Sequence, residues 1–251
     1  MPPLTLHIDI AKGAAERLPN SLLDDERGNL YLGSTAPDIR VITRWERERT
    51  HFFDLANFEE QSGVCGFFET HPGLSSCGSV SKATAAFIAG YLSHLVTDEL
   101  WINAVYRPHF GASSSLGGGL KANVMDRALQ FSLDRDRRSD RVLIAHIVDA
   151  VARCDLGLEL GFIDSDTLRQ WHGVVLEMME QVPEWERFRH GAKRHLGVSE
   201  SGSDEFDELV GSLPDLVGDT VRYLTPELID SFMSGAIDRS LDSLREYLEC
   251  A

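Results

Sequence analysis

The chain has 251 residues, 43% of them hydrophobic, enough for one large domain with a substantial core. Its formal charge of −16, from 40 acidic against 24 basic residues, excludes a surface built for non-specific binding to nucleic acid or anionic membranes. Most of that acidity reads as solvated helix face.

Helical periodicity runs through almost the whole chain, and no segment alternates as a strand would. The first predicted helix, 5–18, carries Leu6, Ile10, Ala14 and Leu18 on one face and stops at Pro19. A loop-rich stretch follows over roughly 28–80. Ser79 or Ser81 then caps a long apolar helix expected to reach Tyr106 and end before Pro108. The glycine-rich 111–119 reads as a flexible connection; its Gly117-Gly-Gly-Leu-Lys121 lacks the ending of a phosphate-binding loop. Further helices are predicted at 120–135, 139–154, 165–181, 184–196, 203–224 and 226–249. Asp164-Ser165 caps the third of these, and Thr225-Pro226 starts the last. An acidic surface loop is expected at 200–207.

The expected fold is therefore an all-α multi-helix bundle forming a single domain over 1–251. Its half 1–135 carries the chemistry and 136–251 adds further helices. No apolar stretch reaches the ~18–20 residues of a membrane span, and no basic-then-apolar leader opens the chain. Cys65, Cys77, Cys154 and Cys250 show neither zinc-knuckle nor disulfide-framework spacing. A soluble cytoplasmic protein is the expectation.

Inside the apolar run 86–101 sit His94 and Asp98, four residues apart and so on one helix face. Burying such groups without partners costs roughly 2–7 kcal/mol for a polar group and more for a charge. A bound cation offsets that cost, provided the chain supplies further ligands. His7 on the first helix, Asp38 after Pro37, and His51 beside Phe52 and Phe53 are candidates. Three imidazoles and two carboxylates suit zinc or a similar divalent ion better than calcium or magnesium. Each also has an ordinary reading: His7 as a satisfied core or surface histidine, Asp38 as a turn cap, His51 as packing. His71 reads as a loop residue. His146 reads as a core histidine bonded to a backbone carbonyl, and His172, His190 and His195 fall on charged, exposed helices. Gly90, one turn before His94, lets a neighbouring element approach closely; Tyr91 and Trp101 either line a pocket or fill the core.

The ordered set His7, Leu32-Gly-Ser-Thr-Ala-Pro-Asp38, Thr50-His51 and Ala89-Gly-Tyr-Leu-Ser-His-Leu-Val-Thr-Asp98 resembles the zinc-dependent phospholipase C family, whose fold the single-strand-specific zinc nucleases share. The resemblance covers roughly 1–135. It implies a main zinc site of Asp38, His51, His94 and Asp98, with Asp98 bridging towards a second ion held by His7. The family's free amino-terminal ligand is missing from Met1-Pro2-Pro3. Where the family has a downstream histidine and an HxxxE pair, the chain offers only Asp126, with alanine at 122 and His109 as a loose substitute. One or two zinc ions are expected rather than three.

The resemblance thus implies a zinc-dependent hydrolase of a phosphodiester or related small-molecule ester. Metal-activated water would attack, Asp38 would orient or deprotonate it, and Arg40 or Arg107 would hold the phosphate. HD-type phosphohydrolases are a poorer match, because the chain has no His-Asp dipeptide. The alternative is a non-catalytic or repurposed helical protein that keeps a structural or vestigial metal site. Substrate and oligomeric state are not written in the sequence.

Overall fold

Fourteen α-helices, and no strand, occupy the residues that the computed structural model describes, 3–198 and 203–249, the side chains of Arg194 and His195 excepted. In order they are α1 (Leu4–Glu16), α2 (Ser21–Asp25), α3 (Arg27–Gly33), α4 (Arg40–Thr43), α5 (Glu48–His51), α6 (Gly63–Thr70) and α7 (Lys82–Leu100). Then come α8 (Leu120–Ser139), α9 (Arg141–Ala152), α10 (Ser165–Glu180), α11 (Trp185–His195), α12 (Ser203–Leu209), α13 (Leu213–Leu224) and α14 (Pro226–Glu249). None of these is long and apolar enough to cross a membrane.

The sequence of α7 explains its place at the centre. From Ala83 to Leu95 every residue is buried, so no face of the helix is left for water. The Ser81 hydroxyl caps it by accepting from the Thr84 amide at 3.1 Å. Helices α1, α3, α6 and α14 pack around it. The approach of α3 is backbone on backbone: a Cβ on Gly90 would lie 2.0 Å from the Leu30 carbonyl oxygen, and one on Gly33 would lie 2.0 Å from that of Phe87. Only glycine fits at either position.

Two apolar clusters flank this axis. One joins Ile8, Leu30, Phe87, Ile147, Trp171 and Leu244 from α1, α3, α7, α9, α10 and α14. The other joins Leu6, Trp101, Leu129, Phe206, Leu213 and Phe232, reaching α8, α12 and α13. Helices beyond residue 135 line both, so they cover the central elements instead of standing apart.

Several expectations are corrected. The stretch 28–80 is not mainly loop: it holds α3 to α6 and three 3-10 turns, including Ala36–Ile39. The long helix does not stop before Pro108. After Leu100 it continues as a π-helical segment, Trp101–Phe110, with Pro108 inside its last turn. The 203–224 helix is two helices, α12 and α13. Of the expected acidic loop, 203–207 are helical and 200–202 lie outside the described residues, as do Cys250 and the side chain of His195.

Candidate metal centre

Four separate elements deliver the polar cluster. The first turn of α1 brings His7, the 3-10 turn Ala36–Ile39 brings Asp38, the end of α5 brings His51, and α7 brings His94 and Asp98. Phe52, in the left-handed conformation (φ 52°), turns the chain sharply away just after His51. Trp171 on α10 donates to the Thr35 hydroxyl at 3.1 Å, so a C-terminal helix steadies the turn that carries Asp38.

Five of the six residues named from the sequence, His7, Asp38, His51, His94 and Asp98, lie together. His7, His94 and Asp98 form one triad able to hold a metal ion, and Asp38, His51 and His94 form a second. The carboxylate of Asp98 faces both ways. Its Oδ2 lies 3.3 Å from His51 Nε2 and 3.7 Å from His94 Nε2, and its Oδ1 lies 3.5 Å from His7 Nε2. Asp38 Oδ1 stands 3.7 Å from His51 Nε2. A tetrahedral zinc site with bonds of about 2.0–2.1 Å has ligand-to-ligand edges of about 3.3–3.4 Å. The edges His51–Asp98, His94–Asp98 and Asp38–His51, at 3.3, 3.7 and 3.7 Å, are close to that spacing.

Hydrogen bonds behind the cluster set which imidazole nitrogen faces it. His94 Nδ1 is 2.8 Å from the Ser34 carbonyl, which can only accept, so Nδ1 carries the proton and Nε2 presents its lone pair. Thr50 donates its hydroxyl to the Arg47 carbonyl at 3.3 Å and accepts from His51 Nδ1 at 2.8 Å, fixing the same tautomer there. Tyr91 donates to the Thr50 carbonyl at 2.6 Å and pins that segment to α7. Such outer partners orient metal-binding histidines.

Burial and charge act together. Burial pushes the His7 pKa down, and burial followed by the Arg47 charge pushes that of His51 well down, so both rings are neutral. Burial also presses on His94, but Asp98, Asp38 and the Ser34 carbonyl outweigh it and raise its pKa. Asp98 is opposed by its own burial, yet His94, His7 and Arg47 hold its carboxyl well below the usual carboxylate range. It stands ionised.

The cluster is nonetheless incomplete. Both nitrogens of His7, Nε2 of His51 and of His94, and Oδ1 of Asp98 are buried without a hydrogen-bond partner. So are Nε and Nη1 of Arg47; together these are seven of the ten such side-chain atoms among the described residues. Each unsatisfied atom costs about 1–3 kcal/mol. A cation bound by Nε2 and carboxylate lone pairs would relieve several at once, and the donor set fits a zinc-like ion.

Asp126 is not brought into either triad. It is buried elsewhere in the core, where its Oδ1 accepts from Trp101 Nε1 at 3.0 Å and from Gln130 Nε2 at 2.8 Å. His109 lies instead against Tyr223. His146 bonds the Tyr31 hydroxyl (3.3 Å), not a backbone carbonyl. His172 is half-buried on the Val151 carbonyl, while His190 is exposed, and His71 stacks on Phe162. Arg40 donates to the Trp45 carbonyl, and Arg107 donates to Asn103 and to the Leu55 and Asn57 carbonyls, so both guanidiniums are engaged away from the cluster. Tyr91 and Trp101 are core residues.

The residue missed by sequence reasoning is Arg47. It is 7% exposed, and its Nη2 donates to Asp98 Oδ2 at 3.2 Å. Its one signal is its position four residues before His51, a single helical turn. Comparison of the chain with protein-family models, curated proteins and solved structures finds no match. The geometry stands by itself.

Proposed function

We propose that the chain is a metal-dependent hydrolase of a phosphodiester or related ester, organised like the zinc-dependent phospholipase C family. The observation that carries this reading is that His51 Nε2 and His94 Nε2, buried and without hydrogen-bond partners, converge with the carboxylates of Asp38 and Asp98 at 3.3–3.7 Å. Asp38, His51, His94 and Asp98 would hold the ion, and His7 would steady Asp98. A zinc-like dication bound there supplies Lewis acidity and acidifies water towards neutral pH.

The remaining work falls to the protein. Asp38 is the one ligand whose side chain reaches solvent, at 22% exposure, against 3% or less for the others. That exposure supports a role for Asp38 in orienting an attacking water and taking its proton. The water oxygen forms a bond to phosphorus, the ester P–O bond breaks, and the proton passes to the departing alkoxide.

The near-complete burial favours a second reading, a structural metal in a protein without this activity. A groove of about 460 Å³ between α6, α7 and α14, lined by Val64, Phe68, Glu99, Arg239 and Tyr247, includes none of the five cluster residues. Metal analysis of the purified protein, with a phosphodiester panel assayed with and without chelator, separates the two. The hydrolase reading expects bound zinc or a similar ion and chelator-sensitive turnover, both lost in His94→Ala. Bound metal without turnover of any ester in the panel supports the structural reading; no bound metal overturns both.

A further inference from the structure

We propose that Arg47 is the oxyanion-binding residue of a one-ion centre, where it does the work a second metal ion does in two-metal hydrolases. This rests on the metal reading above and adds what the centre recognises: a singly charged oxyanion.

The guanidinium is almost wholly buried, and only one of its three nitrogens is engaged, Nη2 with Asp98 Oδ2. Nε and Nη1 have no partner. A buried arginine normally uses its planar fork to grip an anion with two parallel hydrogen bonds. Nη2 carries two hydrogens, one beside Nε and one beside Nη1; Asp98 takes one of them, so the other can complete such a fork with Nε or with Nη1, beside the carboxylate that also faces His51 and His94. Among the described residues, Asp98 is the only carboxylate that pairs with Arg47, and it does so through Nη2.

Charge points the same way. An imidazole that binds a metal does so as the neutral ring, so within the proposed centre Asp38 and Asp98 together balance a divalent ion. Arg47 then remains as one uncompensated positive charge in a buried site. A guest with a single negative charge neutralises it; a neutral carboxyl ester or an amide does not. In two-metal sites a second cation performs this task, stabilising the non-bridging and leaving oxygens. A second ion on the His7 side would find only His7 and Asp98 Oδ1 as unshared donors, fewer than the three protein ligands of a typical catalytic zinc. The guanidinium already occupies the other flank of Asp98.

Inorganic phosphate is the probe, and the cobalt-substituted full-length protein gives an absorption signal that does not depend on turnover. The expected results are one cobalt per chain, phosphate-dependent change in the cobalt spectrum, and a phosphate-dependent rise in melting temperature of the metal-loaded wild type. Arg47→Met should keep one cobalt and weaken phosphate at least tenfold, with Arg47→Lys recovering part of the loss. Two ions per chain, or phosphate affinity unchanged in both variants, overturns the proposal while leaving the metal reading intact. If neither variant folds, the wild type decides: a cobalt spectrum and melting temperature indifferent to phosphate overturns it. A wild type that takes up no metal removes both readings together.

Discussion

At the residue scale, Thr50 and the Ser34 carbonyl do as much for the centre as the side chains they touch, because they decide which nitrogen of His51 and His94 carries the proton. Removing such a partner typically weakens metal binding by about 10–100-fold. Thr50→Val should do so while keeping the shape of the site, at a cost of about 1–3 kcal/mol of stability for the unpaired His51 Nδ1; competition against a chromogenic chelator measures the affinity, and an unchanged value would show that the tautomer is set elsewhere. Gly90 makes a second residue-scale prediction. Alanine there gains up to about 1 kcal/mol of helix propensity. The clash of its Cβ with the Leu30 carbonyl and the Ser34 amide costs about 3 kcal/mol, the upper end for overpacking. Gly90→Ala should therefore lower the unfolding free energy and, by moving the Ser34 carbonyl off His94, also weaken the metal. A stable variant with normal affinity would contradict the described approach of α3.

At the element scale, Asp164 shows how the caps work. It accepts from the Thr167 amide at 2.9 Å and hydroxyl at 2.7 Å and from the Asp166 amide at 3.1 Å, and these bonds lower its pKa. A carboxyl with a folded pKa below its unfolded one stabilises the fold above the unfolded value, about 3.9, and loses that contribution as pH falls through the folded value. The gap in melting temperature between wild type and Asp164→Ala should be wide at pH 7 and narrow towards pH 3; a constant gap would assign the effect to packing. Elements with such signals were legible in the sequence: Ser81, Asp164 and Pro226 each mark the start that the structure shows. The short helices α3 to α6 were not, because four to eight residues are too few to nucleate alone and form only by packing on α7 and its neighbours. The π-helical run was missed because proline ordinarily ends a helix. Among site residues, His94 and Asp98 announced themselves as polar groups in an apolar run. Arg47 did not, since Trp45-Glu-Arg-Glu-Arg-Thr50 reads as a solvated charged stretch and only tertiary contact buries it.

At the scale of the whole molecule, ligands from the 36–39 turn, α5 and α7 mean that one ion would tie together Asp38, His51, His94 and Asp98, residues up to 60 positions apart. Binding to the native state alone at one hundred times the dissociation constant adds about 2.7 kcal/mol. For a chain of this length that corresponds to a rise in melting temperature of roughly 5–11 °C. Thermal melts with zinc and with chelator test this, and His94→Ala should show no such difference. The burial of the same centre also sets a clock. With His7, His51, His94 and Asp98 closed off and only Asp38 reaching water, a held ion would have to wait for a local opening of the fold, so stripping by chelator should reach a ceiling rate that more chelator does not raise. An ion enclosed during folding would then exchange slowly, and the metal in a preparation would report the ion supply where the chain folded as well as the preference of the ligands.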